Sequence, residues 1–246
     1  MIEPLLPPPR RWGRPRTTSL REVINGILYV LRTGCQWLLI PKDFPPTGTV
    51  YGYFRDWRMN GVWDRIHHAL LLALRERLKR AASPSAAIID SQSVNTTESG
   101  GIRGFDAGKG VMGRKRHIVV DTEGLMSCAV VHAASVQDRD GAVPLLQQAR
   151  HLFPWLELVW ADGGYRGGKL RSAFNGLADW RLEIVTRNAD TKGFEVLPRR
   201  WVVERPFAWL GRSRRLAKDF EKWTENSRAY ISIAMIQLMV RRLAKA

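Results

Sequence analysis

Three carboxylates stand where an ionised group is hard to place. Asp90 closes the apolar run Ala87-Ile88-Ile89, and Asp162 closes Val159-Trp160-Ala161 just before Gly163-Gly164-Tyr165. Glu204 lies between Trp201-Val202-Val203 and Pro206-Phe207. A carboxylate among apolar neighbours is costly unless a cation or hydrogen-bond donors lie against it. With no His or Cys at ligand spacing, the three offer hard oxygen donors, which suit Mg2+ or Mn2+ and not a structural zinc. Two such ions can activate a water or hydroxyl and stabilise the leaving oxygen of a phosphodiester. The donor set therefore points to phosphoryl transfer without a covalent enzyme intermediate. Taken singly, each acid also has a plainer reading: a strand-end Asp is commonly a turn former or helix cap, and Glu204 can pair with Arg200 one turn earlier.

Phosphodiesters imply a polyanionic partner, and the composition agrees. The 246 residues carry a formal net charge of +16. The excess is not uniform: residues 1–83 carry +8, residues 84–198 are neutral, and residues 199–246 carry another +8. Nucleic acid and anionic membrane are the candidates for such a partner. The longest stretch free of Asp, Glu, Lys and Arg is the 14 residues Gly124 to Gln137, short of the roughly 20 a spanning helix needs. That excludes the membrane as the expected partner. No basic, then apolar, then small-residue leader opens the chain, and Cys35 and Cys128 form neither a C-x-x-C pair nor a zinc framework. A reduced, cytoplasmic protein is expected.

The elements that must position these acids follow from periodicity. Pro4 to Arg16 holds five prolines and four arginines, the composition of an extended arm. Ser19 and Glu22 form a capping-box pattern, followed by apolar residues at helical spacing from Leu20 to Leu31 and a stop at Gly34. Second and third helices are expected over about 49–59 and 62–82, separated by Asn60-Gly61. Three helices with Arg55 and Arg58 on the middle one suit a small all-α, helix-turn-helix-like domain over 1–83. Beyond the linker 81–87, strands are expected over 87–94, 117–121 and 125–132, then a helix over 138–152, a strand over 156–161, a short helix over 168–176 and a strand over 182–186. Glu98 to Gly113, with six glycines, reads as a flexible loop. Helices over 198–220 and 224–245 close the chain. On one helix 198–220, Arg200, Glu204, Gly211 and Arg215 would share a face. This order fits an α/β, ribonuclease-H-like domain over 84–246, a mixed central sheet flanked by helices.

The residues around the acids resemble a family. Asp90 in IIDSQSV, Asp162 in VWADGGYRG and Glu204 in RRWVVERPFAWLGRSRRL look like the Asp, Asp and Glu of bacterial insertion-sequence DDE transposases. The segments GRKRHIVVD, LREVINGILYVLRTGCQW and FPPTGTVYGYFRDW are also similar to that family, so the likeness covers nearly the whole chain. The resemblance implies a helical DNA-binding region, a ribonuclease-H-like catalytic domain, two Mg2+ or Mn2+ ions on Asp90, Asp162 and Glu204, and cutting and joining of DNA at transposon ends. Relatives carry a Tyr, Arg, Glu, Lys signature around the last acid. Here Arg200 and Glu204 fit it, Leu197 replaces the Tyr, Gly211 replaces the Lys, and Arg212 or Arg215 is expected to take the phosphate contact.

The expected DNA contacts are then Arg14 and Arg16 in the arm, Arg55 and Arg58 on the second helix, Lys115 beside the glycine-rich loop, and Arg200, Arg212 and Arg215 near Glu204. The expected partners are double-stranded DNA, as terminal inverted repeats and target, and a second copy of the chain, since two ends must be cut. A metal-dependent nuclease without strand joining shares the acids, and a DNA-binding copy without catalysis shares the basic ends.

Overall fold

The computed structural model describes residues 1–9, 15–177, 180–185 and 200–245. Helix α1, Leu20–Thr33, starts where expected: Ser19 accepts from the Glu22 backbone N–H, and Gly34 closes the helix at φ 72°, a left-handed cap that favours glycine. Helix α2, Thr47–Met59, buries Val50, Phe54 and Trp57 on one side. Helix α3, Val62–Arg77, follows the left-handed Gly61 and ends five residues before the expected limit, with Lys79 at φ 57° turning the chain. The Arg75 side chain explains the early stop. Its guanidinium bonds the Ala81 and Ala82 carbonyls and forms a buried ion pair with Asp121, so the segment read as a linker is folded back on α3.

The strands are β1 Ala86–Asn95, β2 Gly104–Asp106, β3 Val111–Asp121, β4 Met126–Ala133, β5 Leu158–Ala161 and β6 Arg181–Ile184. They form one mixed sheet in the order β2-β3-β1-β5-β6, with β4 also on β3. Strand β3 is antiparallel to β1, β2 and β4, while β5 is parallel to both β1 and β6. Leaving out the short β2, the order β4-β3-β1-β5-β6 is that of a ribonuclease-H-like sheet. The glycine-rich segment is thus not wholly a loop, because β2 and the start of β3 lie in it. Gly113 is needed there: a Cβ would collide with the Val94 carbonyl across the β1 pairing.

Helix α4, Asp138–Leu152, and helix α5, Gly168–Leu177, match expectation closely. The expected single helix 198–220 does not form. A 3-10 turn spans Arg200–Val203, helix α6 spans Glu204–Gly211, and a second 3-10 turn spans Arg214–Leu216. Pro206 falls in the first turn of α6, where its missing N–H costs nothing. Ser213 leaves the helix at φ −103°, ψ 113°, so Arg215 is not on the helical face of Glu204.

Helix α7, Thr224–Lys245, packs against α3 and β4, and the α1 to α3 region joins the sheet through it. Ile231, Ile233, Ile236 and Met239 are almost fully buried, each contributing roughly 1.5–3 kcal/mol by leaving water. Arg228 fixes the seam with a two-pronged bond to Asp64, at 2.8 and 2.9 Å. Among the described residues no helix is long and apolar enough to cross a membrane.

Candidate active site

Strands β1 and β5 pair in parallel through Ala86↔Leu158, Ala87↔Val159 and Ile88↔Trp160, and there their pairing stops. Asp90 follows Ile88 by two residues and Asp162 follows Trp160 by two, so both acids stand just past the point where the strands part. The chain runs from β1 outward to β3 and β4, then returns to start β5 on the other side. That reversal makes the β1/β5 gap the switch point of the sheet, where α/β proteins open a crevice. Asp90 does not end its strand, as the apolar run suggested. Its neighbours Asp90↔Ile118 to Asn95↔Gly113 remain paired with β3, leaving only the β5 side open.

The backbone holds each aspartate. Asp90 accepts from the Ser91 N–H at 2.7 Å, and Asp162 caps the 3-10 turn Gly163–Tyr165 by accepting from the Gly164 N–H at 2.8 Å. The cap reading of Asp162 is therefore real, and it fixes the carboxylate at the crevice. Tyr165 sits buried among the acids: burial first, then the charges of Asp90, Asp138 and Asp162, push its hydroxyl well above the usual phenol range. It stays a neutral phenol.

Asp138, the first residue of α4, is not among the sequence candidates. A Cβ on Gly164 would stand 3.1 Å from Asp162 Oδ1 and 3.2 Å from Asp138 Oδ2, so the two carboxylates flank that glycine. Asp138 accepts from Ser91 Oγ at 2.8 Å and Lys115 Nζ at 2.9 Å, and lies 3.4 Å from His117 Nε2. Burial opposes its charge, but the donors from His117, Lys115 and Ser91 prevail and hold it below the usual carboxylate range. Behind it, His117 Nδ1 meets His132 Nε2 at 2.8 Å, and His132 Nδ1 lies 2.9 Å from the Ala133 carbonyl. Burial lowers His117 to about 4. The local signal for Asp138 is an acid opening a helix directly after a buried strand, which reads equally well as a favourable dipole contact.

Glu204 opens α6 and is exposed, and the 3-10 turn that leads into it packs against β1. Register places Asp90, Gln92 and Val94 on one sheet face with Ile118, Arg116 and Arg114. The chain after α6 covers that face, since Arg116 donates to the Leu216 and Lys218 carbonyls. Glu204 thus opens the segment whose continuation covers the sheet face that bears Asp90.

The basic candidates divide. Arg16, Arg55 and Arg212 are exposed, with Arg55 bonded to its neighbour Asp56 at 2.9 Å. Arg58 is half-buried. Arg14, Leu197 and the Arg200 side chain lie outside the described residues. Two placements correct the expectation. Lys115 is not on a loop: it lies in the interior strand β3, 5% exposed, with Nζ on the Val136 carbonyl, Asp106 and Asp138. Arg215 is turned inward, paired with Glu221 at 2.6 Å, bonded to the Cys35 carbonyl and lying over the Phe220 and Tyr230 rings. Both long side chains reach buried anions, Lys115 across long stretches of sequence and Arg215 from the next turn of chain.

Asp90 and Asp162 fit a hard divalent cation by donor type and by their place at one crevice. Among the described residues no three His, Cys, Asp or Glu side chains are gathered as a ready metal cage.

Comparison with known proteins agrees with this geometry. Residues 81–239 match the family model for the transposase DDE domain, and residues 1–67 match one described as "putative transposase of IS4/5 family". Two Burkholderia cepacia proteins are similar. The "insertion element IS402 uncharacterized 16.2 kDa protein" is 40% identical over 106 residues, 41% of this chain and 71% of that protein. The "putative transposase for insertion sequence element IS402" is 30% identical over 142 residues, 54% of this chain and 66% of that protein. The DDE match spans more than half the chain and includes both crevice aspartates and Glu204, and on that ground the chain belongs to the DDE transposases of bacterial insertion sequences.

Proposed function

We propose that the protein binds the terminal inverted repeats of its element, hydrolyses a phosphodiester at each end, and directs the resulting 3′-hydroxyl at target DNA. The observation that carries this reading is the matched position of Asp90 and Asp162 at the β1/β5 gap, within the region that matches the DDE domain. Asp90 and Asp162 would hold Mg2+ or Mn2+, with Glu204 as the third carboxylate and two ions in all. When bound, such ions lower the pKa of water and stabilise the departing oxygen.

The protein's own residues hold the acids for this task. The Ser91 and Gly164 N–H groups orient the two aspartates, and the buried Tyr165 phenol excludes water from behind them. Cations at the two basic ends would bind the phosphates, the exposed Arg16 and Arg55 with the half-buried Arg58 at the element end and the exposed Arg212 near the cut. The region 1–83 would act as the end-reading unit and 84–246 as the cutting unit, with two chains serving the two ends. Such a protein would work in the cytoplasm, on the nucleoid.

The test combines labelled element ends, a target plasmid and Mg2+. The wild type should give nicked ends and joined products. Asp90→Asn, Asp162→Asn and Glu204→Gln should each abolish cleavage and keep end binding. Cleavage retained in one of these variants would remove that residue from the site, and nicking without joined products would make the protein a nuclease.

A further inference from the structure

Large apolar side chains gather at the exposed end of the Asp90 sheet face. Phe105 and Met112 are directly opposite each other on β2 and β3, and are 52% and 49% exposed. Met112 shares its face with Arg114 and Arg116, and through them with Asp90. Ile102, at 63%, and Trp223, at 57%, are exposed on the segments that Arg114 joins beside it. The buried Arg114 ties these segments together by donating to the Ile102, Glu221 and Lys222 carbonyls. A Cβ on Gly101 would collide with the Lys222 carbonyl, so the two segments touch at backbone level.

The charges around the patch select its partner. The acids on these segments are mostly consumed inside: Asp106 with Lys115, Asp219 with Arg114, and Glu221 with Arg215. That leaves Arg103, Lys109, Lys218 and Lys222 on the surface against Glu98 and Glu225, with Lys222 Nζ 5.3 Å from the Trp223 ring centre. Apolar and aromatic side chains rimmed by cations match a base stack rimmed by phosphates.

We propose that the Phe105–Met112 patch is a DNA-base contact, taking unpaired or unstacked bases while Arg103 and Lys222 hold the flanking phosphates. Met112 lies six residues along β3 from Ile118, the partner of Asp90, a span of roughly 20 Å at strand rise. That is about six base steps from a phosphate held at Asp90, at ~3.4 Å per step. The patch thus meets bases beside the cut, not at it. This inference rests on the DNA-acting reading above.

The probe is a random-sequence duplex with 2-aminopurine inside a short unpaired bubble, compared with the same duplex fully paired. The wild type should bind the bubble about tenfold more tightly and change the 2-aminopurine emission, as stacking on a side chain does. Phe105→Ala with Met112→Ala should erase that preference and keep affinity for the paired duplex. Ile102→Ala should weaken the preference independently, and Arg103→Ala should lower affinity for both probes equally. Binding of the paired duplex without bubble preference in the wild type overturns the proposal alone. So does a preference kept in the double variant, or a double variant that instead loses a dimer in light scattering. Failure to bind either duplex overturns the DNA-acting reading and this inference with it.

Discussion

Asp90 on β1 and Asp162 just beyond the end of the parallel β5 each stand two residues past the last pair, Ile88↔Trp160. Neighbouring strands run ~4.8 Å apart before they diverge. Two carboxylates at such a place repel each other, and a divalent cation between them removes the repulsion. Mn2+ should therefore raise the melting temperature of the wild type even without DNA. At a hundredfold excess over the dissociation constant the gain is about 2.7 kcal/mol, a shift of roughly 5–11 °C for a chain this long. Scanning calorimetry with and without Mn2+ checks it. An equal shift in Asp90→Asn or Asp162→Asn would place the cation elsewhere.

The Arg75–Asp121 ion pair is buried on both sides, with side-chain exposures of 5% and 0%, and joins α3 to the turn between β3 and β4. Asp121 Oδ1 also accepts from the Glu123 and Leu125 N–H groups, at 2.9 and 2.8 Å. Arg75→Met should cost about 3–5 kcal/mol, because it leaves a buried carboxylate without its cation. Adding Asp121→Asn should return much of that, since the amide oxygen still serves the turn. Urea titration of the two single variants and the pair measures the coupling; simple additivity would refute it.

Gly141, in the first turns of α4, lies directly on the His117 and His132 rings, and a Cβ there would overlap both. Gly141→Ala should lift α4 from the sheet and lower stability by about 1–3 kcal/mol, the cost of overpacking, despite alanine's better helix propensity. A melting temperature equal to the wild type's would contradict this packing.

Much of this was legible locally. Ser19 and Gly34 delimit α1 through their own caps, and the acids that close two apolar runs are the crevice aspartates. What the sequence pattern hid depends on distant partners. Lys115 reads as a DNA contact beside the glycine-rich loop, yet β3 is an interior strand, and the charges of Arg114, Lys115 and Arg116 are met by Asp219, Asp138 and carbonyls from 216–222. Nothing within a window around β3 signals those partners. The helix expected over 198–220 failed for a more local reason: Gly211 and the extended Ser213 break it, and inward bonds hold Arg215 apart from the Glu204 face. Asp138 was hidden because a favourable helix start and a site carboxylate look alike in sequence.

His67 gives a pH dependence. It is buried on α3, Nε2 has no hydrogen-bond partner among the described residues, and burial outweighs nearby Asp64 to lower its pKa to about 4; His68 and Arg228 push the same way. A histidine depressed in the folded state stabilises fully above its unfolded value near 6.5, and the contribution is lost as pH falls from there toward 4. His67 alone should therefore cost about 2 kcal/mol between pH 7 and pH 5. Urea melts at the two pH values should show a smaller acid loss in His67→Leu than in the wild type. An unchanged pH slope would mean that the imidazole is hydrated in the folded protein.

Arg212 and Arg215 separate surface charge from internal charge. Arg212 is exposed at the end of α6, its carbonyl accepting from Arg32 at 2.8 Å, and its guanidinium is available to a phosphate. Arg215 instead neutralises Glu221, whose carboxyl is pushed up by burial against the pull of Arg215. Arg212→Ala should weaken binding to cognate and random duplexes alike and reduce the salt dependence by about one unit of log-log slope, as expected when one phosphate is no longer neutralised. Arg215→Ala should leave that slope unchanged and instead destabilise the fold by about 3 kcal/mol, because Glu221 then stays buried without a cation. Titrations across salt concentration, paired with urea melts of the same variants, read both quantities. A reduced slope in Arg215→Ala at wild-type stability would put its guanidinium on DNA and reverse the assignment.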